Sequence, residues 1–178
     1  MRIRAVRTEE LSALRDIERA AGTCFRDVGM PEIADDDPLP LEVLARYRDS
    51  GLAWVAADHA DVPVAYLIAE PIDGSLHVEQ VSVHPSGARR GIGRSLLEYA
   101  ARRATDLDMP ALTLTTFAHV PWNAPYYVRC GFRPMAEREL GPGLRTIRQR
   151  EAAHGLDRWP RLCMIREGAS RDGAPHPP

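Results

Sequence analysis

Lysine is absent from this 178-residue chain, and all 23 basic residues are arginine. The absence excludes a Walker-type phosphate loop, which closes on Gly-Lys-Ser/Thr. With a formal net charge of −2, the arginine bias reads as genomic base composition. It does not read as a phosphate-binding surface, and no nucleic-acid partner is expected. Cysteine is scarce. Cys24, Cys130 and Cys163 are odd in number, widely spaced and without a CxxC pair, which excludes a disulfide framework or a cysteine metal site. They read as free thiols in a reducing cytoplasm. No apolar run approaches the ~20 residues that span a bilayer. Met1-Arg2-Ile3-Arg4 enters a strand and carries no signal-peptide pattern. The expected setting is therefore cytoplasmic, without membrane or metal. Internal repeats are also missing.

What is present is a regular alternation of strand and helix patterns, expected to form one domain over residues 1–167 with a disordered, apolar-poor tail over 168–178. Ile3 to Arg7 reads as a strand. Thr8 is placed to cap a helix carrying Leu11, Leu14, Ile17 and Ala21 on one face, ended by Gly22. A second helix runs from about Pro40 to Asp49 and stops at Gly51. Leu52 to Ala57 and Val64 to Glu70 read as paired strands, and Leu76 begins a further alternating strand. Leu96, Leu97, Ala100, Ala104 and Leu107 give Gly93 to Leu107 helical spacing. Ala111 to Phe117 is a Leu- and Thr-rich strand. A short segment then runs from Trp122 to Cys130, with Gly131 as its C-cap glycine. A strand follows Phe132, then a helix near Gly143 to Ala153 and a strand at Arg161 to Arg166.

The densest chemistry lies in Leu76 to Ser95, LHVEQVSVHPSGARRGIGRS. A strand reaches His84-Pro85, and a Ser-Gly turn leads to Arg89-Arg90-Gly91-Ile92-Gly93-Arg94 at the mouth of a helix. Glycines there let backbone N–H groups crowd inward, and the positive end of the helix dipole adds to them. Three arginines within six positions supply charge-assisted donors. The segment reads as an anion cradle. A dinucleotide fingerprint is excluded, because only two glycines have the spacing and they lie mid-chain. The plainer alternative is a helix start that needs glycine for tight packing on its strand.

The order of these pieces resembles the GNAT superfamily of acyl-CoA-dependent N-acyltransferases. The resemblance is carried by the strand closing on Val81-Ser82-Val83-His84-Pro85, by the Arg-Arg-Gly-Ile-Gly-Arg loop with its helix, and by Tyr127 four residues before Gly131-Phe132. It covers roughly Ile3 to Met135. It implies a mixed α/β fold: a twisted, mainly antiparallel sheet splayed near Val83 and flanked by helices. It also implies acetyl-CoA as co-substrate, with no metal. Val81, Ser82 and Val83 would meet the pantetheine arm and acetyl carbonyl. Ala88, Arg89, Arg90, Gly91, Ile92, Gly93, Arg94 and Ser95 would hold the pyrophosphate, and one of the arginines the 3′-phosphate. Asn123 is assigned to the cofactor and Tyr127 to protonation of the thiolate, with Tyr126 left to packing. Two departures are visible. Ala88 stands where the family usually has Gln or Arg, a position used through its backbone N–H. Asn123 lies only four residues before Tyr127, closer than in many relatives.

Period-two alternation puts His77, Glu79, Val81 and Val83 on one strand face, with His84 on the other. Glu79, expected to be partly withdrawn from water, and His77, which titrates near neutrality, are both candidate bases, directly or through a water. From Arg26 to Glu42 six acids face a single arginine. Asp35, Asp36 and Asp37 in this loop, with Trp122, are the candidate acceptor-site residues, and their negative potential would draw a cationic amine. Acetylation of a primary amine on a small molecule is the expected activity. The alternatives are acetylation of a protein or peptide N-terminus or lysine, and a non-catalytic acyl-CoA-binding regulator. A homodimer is the default expectation for a small enzyme.

Overall fold

The structure is a computed structural model that describes residues 1–168, so the expected disordered tail, apart from Gly168, lies outside the described residues. Seven strands and their flanking helices make a mixed α/β fold with antiparallel pairing throughout the strand registers below. The chain forms two compact units, Met1–Glu70 with Val78–Tyr99, and Pro71–His77 with the chain from Ala100 onward.

In the first unit β1 (Arg2–Ala5), β2 (Ala53–Ala57), β3 (Pro63–Ile72) and β4 (Ser75–Val83) are successive neighbours. Ile3 pairs with Ala56 and Val55 with Tyr66, both antiparallel. Helices α1 (Leu11–Gly22) and α3 (Leu41–Asp49) cover this sheet, α1 with the apolar stripe that its spacing announced and α3 through Leu44. Leu14 and Leu44 are fully buried against Val55, Tyr66 and Ile68. Each such leucine contributes about 1.5–3 kcal/mol of burial. Thr8 does not cap α1. Thr8–Glu10 forms a 3-10 turn instead, and the Glu10 carboxylate accepts from the Arg7 N–H at 2.8 Å while Arg4 donates to it at 2.6 and 2.9 Å. That carboxylate bonds the N–H ahead of the turn, not the helix amides a Thr8 hydroxyl was expected to meet, and the α1 N-cap residue, Glu10, makes no side-chain cap bond.

In the second unit β5 (Ala111–Phe117), β7 (Arg161–Glu167) and β6 (Arg133–Pro134) lie in that order, both pairs antiparallel. Helices α5 (Ala124–Arg129) and α6 (Pro142–Ala153) complete it. Asp73-Gly74 forms the tight β3–β4 turn, with φ of 49° and 77°, as a two-residue Asp-Gly hairpin demands. The Asp73 carboxylate then caps α6, accepting from the N–H groups of Gly143 and Leu144 at 2.9 Å each. The approach is close enough that a Cβ on Gly141 would stand 2.5 Å from that carboxyl group. Among the described residues no helix is long and apolar enough to cross a membrane.

Candidate active site

In the first unit β4 ends at Val83 and a single 3-10 turn, Pro85–Gly87, carries the chain to α4 (Ile92–Asp106). His84 shapes the turn: its Nδ1 accepts from the Ser86 N–H at 3.2 Å and lies 2.8 Å from Ser86 Oγ. The glycines of this loop divide two jobs. Gly87 is the packing glycine, since a Cβ there would sit 3.0 Å from Ile92 Cδ1 and 3.4 Å from Val83 Cγ1. Gly91 has a different reason. Its φ is +75° and nothing lies within 4 Å of where a Cβ would stand, so backbone conformation, not crowding, requires glycine. The Gly91 carbonyl accepts from the Ser95 N–H at 3.0 Å. That places Gly91 at the helix mouth and leaves Ile92, Gly93 and Arg94 among the first amides, which have no intrahelical acceptor. Arg89 also adopts a left-handed conformation, at φ 59°. Arg89, Arg90 and Arg94 are exposed.

Two assigned contacts look different in place. The N–H of Ala88 donates to the Pro85 carbonyl at 3.1 Å, so the 3-10 turn consumes the amide expected to meet phosphate. The Ser82 side chain is buried inside the unit, where it accepts from Gln80 Nε2 at 2.8 Å. That leaves its backbone, with the half-buried Val81 and Val83, as the part of this strand segment that can meet a ligand.

The two candidate bases differ sharply. Glu79 is exposed, not partly withdrawn from water as its alternation suggested. His77 is 1 % exposed, and its Nδ1 lies 3.0 Å from Thr113 Oγ1. Burial pushes its pKa down to about 4, with Arg150 adding to the effect and Glu151 and Asp73 opposing it. A neutral, sealed imidazole is a stability element. Its folded pKa is below the unfolded value near 6.5, so its contribution is complete above pH ~6.5 and disappears as pH falls toward 4. Unfolding free energy should therefore drop by about 2 kcal/mol between pH 7 and pH 5. His77→Gln should remove most of that dependence in urea titrations at the two pH values.

In the second unit the Asn123 carbonyl accepts from the N–H groups of Tyr126 and Tyr127 at 2.8 and 3.0 Å, starting α5. Gly131, at φ 88°, closes that helix as the sequence implied. The N–H of Phe132 reaches the Tyr127 carbonyl and that of Gly131 the Val128 carbonyl, both at 3.0 Å. This is a Schellman closure, and its usual apolar contact is the edge-on pair Tyr127–Phe132, with centroids 5.8 Å apart. Tyr127 is half-buried and burial pushes its phenol well up, so it carries its proton at any working pH. Asn123 Nδ2 donates to Thr116 Oγ1 at 2.8 Å, while Asn123 Oδ1 is buried without a protein partner among the described residues. Trp122 is exposed. The acidic segment is not a plain loop. It contains a 3-10 stretch, Thr23–Val28, and the short helix α2 (Pro31–Ala34), anchored by the buried Met30. Asp35 is paired with Arg26, and Asp36 and Asp37 are exposed. Thr113 and Thr116, which orient His77 and Asn123, escaped the sequence reading. Their signal was the repeated threonine in a strand otherwise made of Leu, Ala and Phe.

The acetyltransferase (GNAT) family model matches residues 12–132. Among solved structures, the ribosomal-protein-S18-alanine N-acetyltransferase of Escherichia coli superimposes with a TM-score of 0.65 at 17 % identity, over 98 % of this chain and 99 % of that one. The PaiA N-acetyltransferase of Thermoplasma acidophilum, solved with coenzyme A, gives 0.64 at 14 % identity, covering 93 % and 98 %. A Mycobacterium tuberculosis protein solved with CoA gives 0.67 at 16 %, covering 95 % and 100 %. At these identities the superpositions speak for the fold. The family match spans both β4 with its glycine turn and α5 with Tyr127, and by it this chain belongs to the GNAT family of acetyltransferases.

Proposed function

We propose that this protein moves an acetyl group from acetyl-CoA to a primary amine of a small molecule by direct attack. The observation that carries the reading is Gly91. A left-handed glycine with open space at its Cβ position has no packing duty, and it presents the first amides of a 15-residue helix to an anion. The residues present fit coenzyme A. The amides of Ile92, Gly93 and Arg94, with Arg89, Arg90 and Arg94 side chains around them, suit a pyrophosphate. The partnerless Oδ1 of Asn123 suits an amide N–H of the kind pantetheine carries.

In the reaction the neutral amine nitrogen attacks the thioester carbonyl carbon, the C–S bond breaks, the electron pair leaves on sulfur, and the surplus proton shed by the new amide nitrogen ends on that sulfur. Backbone groups of Val81 and Val83 orient the acetyl carbonyl. Tyr127 donates to the leaving sulfur. Glu79, in water, draws the ammonium and receives its proton through solvent. His77 has no part in this step, because it is sealed. The test is release of free thiol from acetyl-CoA across a panel of small amines, a peptide N-terminus and a lysine peptide. Turnover with small amines supports the reading. Turnover with peptides alone replaces the substrate class. Coenzyme A binding without any turnover leaves a non-catalytic regulator.

The acidic segment gives the panel a direction. Asp36 and Asp37 are exposed and, among the described residues, carry no charge partner comparable to the Arg26–Asp35 pair. Neutralising Asp35, Asp36 and Asp37 to Asn together is expected to raise KM for cationic acceptors several-fold, roughly 3–10-fold at low salt, and to leave KM for acetyl-CoA unchanged. Equal KM values for a dicationic and a monocationic amine in both proteins would remove the segment from recognition.

A further inference from the structure

Arg15 on α1 is half-buried, and its Nε is buried with no acceptor among the described residues. A buried guanidinium N–H without an acceptor is costly, and native folds keep few of them. Other arginines of the first unit have acids. Arg4 binds Glu10, Arg26 binds Asp35, and Arg19, one turn further along α1, binds Asp16 at 3.2 Å. The obvious partner for Arg15 is Glu18, three residues on, at the spacing of a helix ion pair. Among the described residues no salt bridge joins them. Glu18 Oε2 accepts instead from Tyr66 Oη at 2.5 Å, which holds that carboxylate toward β3. Arg15, Glu18 and Gly22 follow one another along one side of α1. That side meets the end of α2, since a Cβ on Gly22 would stand 3.7 Å from the Ala34 carbonyl oxygen. It also stands over the strands that carry the chemistry. The His84 N–H of β4 donates to the Val64 carbonyl of β3 at 2.9 Å, so Tyr66 lies one strand spacing, about 4.8 Å, from the segment of Val81 and Val83.

Resting on the acetyl-transfer reading above, we propose that the acceptor is an amino acid whose carboxylate is bound by Arg15 and whose amine lies toward Glu18. The Nε–Nη edge of a guanidinium presents two parallel N–H groups, which match the two oxygens of a carboxylate. A carboxylate seated there supplies the acceptor that Nε lacks. A phosphate dianion suits the place less well, because Glu18 and the exposed Asp36 are acids of the same region. An amino acid brings its own ammonium to offset them. Glu18 Oε2 is committed to Tyr66, and Oε1 is available to that ammonium. Both Arg15 and Glu18 are half-buried, so a ligand reaches them from solvent while the fully buried Tyr66 stays beneath. An amine without a carboxylate leaves Nε as it is in the free protein and gains nothing from it. Arg15 therefore makes no bond to a reacting atom; it selects the acceptor and sets its orientation.

The readout is kcat/KM from thiol release, with each α-amino acid measured beside its primary amide and the decarboxylated amine of the same skeleton. All three keep a primary amine and differ at the carboxylate. The parent and Arg15→Met are compared through the ratio of amino acid to amide, which cancels the different basicities of the amines. Methionine keeps the packing of the arginine stem. Arg15→Met should lower that ratio by about 10–100-fold. Arg15→Lys should recover part of it, as a point charge without the fork. Arg19→Met, on the side of α1 that pairs with Asp16, should leave the ratio at its parental value. An unchanged ratio in Arg15→Met overturns the proposal, and so does an equal loss with all three acceptors, which marks a structural role. Turnover of a peptide N-terminus but of no free amino acid overturns it as well. A parent that releases no thiol with any amine overturns the acetyl-transfer reading instead. Calorimetry of amino acids with coenzyme A present then judges Arg15 by itself: binding that weakens tenfold or more in Arg15→Met sustains the site, and a parent that binds no amino acid overturns it.

Discussion

Tyr127→Phe is expected to slow acetyl-CoA-dependent thiol release by about 10²-fold or more in kcat, with coenzyme A affinity retained. The phenylalanine ring keeps the edge-on contacts to Tyr126 and Phe132, 5.5 and 5.8 Å between centroids, so the Schellman closure of α5 survives and only the hydroxyl is lost. An ordinary phenol, near pKa 10, is already a weaker acid than a thiol near 8.5. Burial weakens it further. Complete transfer to the thiolate is therefore uphill, and the contribution proposed for Tyr127 is that of a fixed, protonated donor that strengthens as charge builds on sulfur. The pH profile should accordingly keep its shape below pH 10 in the variant, while its height falls. Stopped-flow detection of thiol and a coenzyme A titration separate the two quantities. A variant with parent kcat would remove Tyr127 from the chemistry.

The sequence carried most of this architecture because the elements that matter repeat on one face. Leu11, Leu14 and Ile17 announce α1, and all three are buried. Gly131 announces the end of α5 and closes it. Side-chain alternation was a poorer guide along β4. It placed His77 and Glu79 together, yet the strand seals one beside Thr113 and exposes the other. Period two fixes direction from a strand, whereas burial depends on what the rest of the fold lays over each position. The Tyr66–Glu18 hydrogen bond was illegible for a related reason. Glu18 follows Ile17 and sits four residues after Leu14, at the shoulder of an apolar stripe, where an acid ordinarily faces water. Only the register that brings Tyr66 beneath α1 turns it inward. The acidic count from Arg26 to Glu42 was correct, but Arg26 binds one of those acids, and the segment folds into short helical turns that a charge tally does not register.

Glu151→Ala is expected to cost about 3–5 kcal/mol of unfolding free energy, the range for removing one partner of a buried ion pair. The Glu151 carboxylate on α6 accepts from Thr115 Oγ1 and Arg148 at 2.5 Å each, and from Arg161 at 2.7 and 3.2 Å. Arg161 lies over the Phe117 ring at 4.4 Å, and its side chain is only 8 % exposed. Truncating the acid would strand that guanidinium in a place where water cannot reach it. The exposed Arg133–Glu167 pair has a comparable distance of 2.6 Å, but both side chains are about half in solvent. Glu167→Ala should therefore cost no more than about 1 kcal/mol. Against the burial that would raise its pKa, Arg161, Thr115 and Arg148 hold Glu151 below the usual carboxylate range. Its stabilisation is thus complete above the unfolded value near 4.3 and fades as pH falls through the folded one. The His77 contribution has already faded by then, since its window runs from about pH 6.5 down to 4. Acid should weaken the second unit in two stages, and Glu151→Ala should abolish only the later one. Urea titrations of both variants from pH 7 to pH 3 measure this directly. A loss below about 1 kcal/mol at pH 7 would mean that Arg161 finds water or another acid once Glu151 is gone.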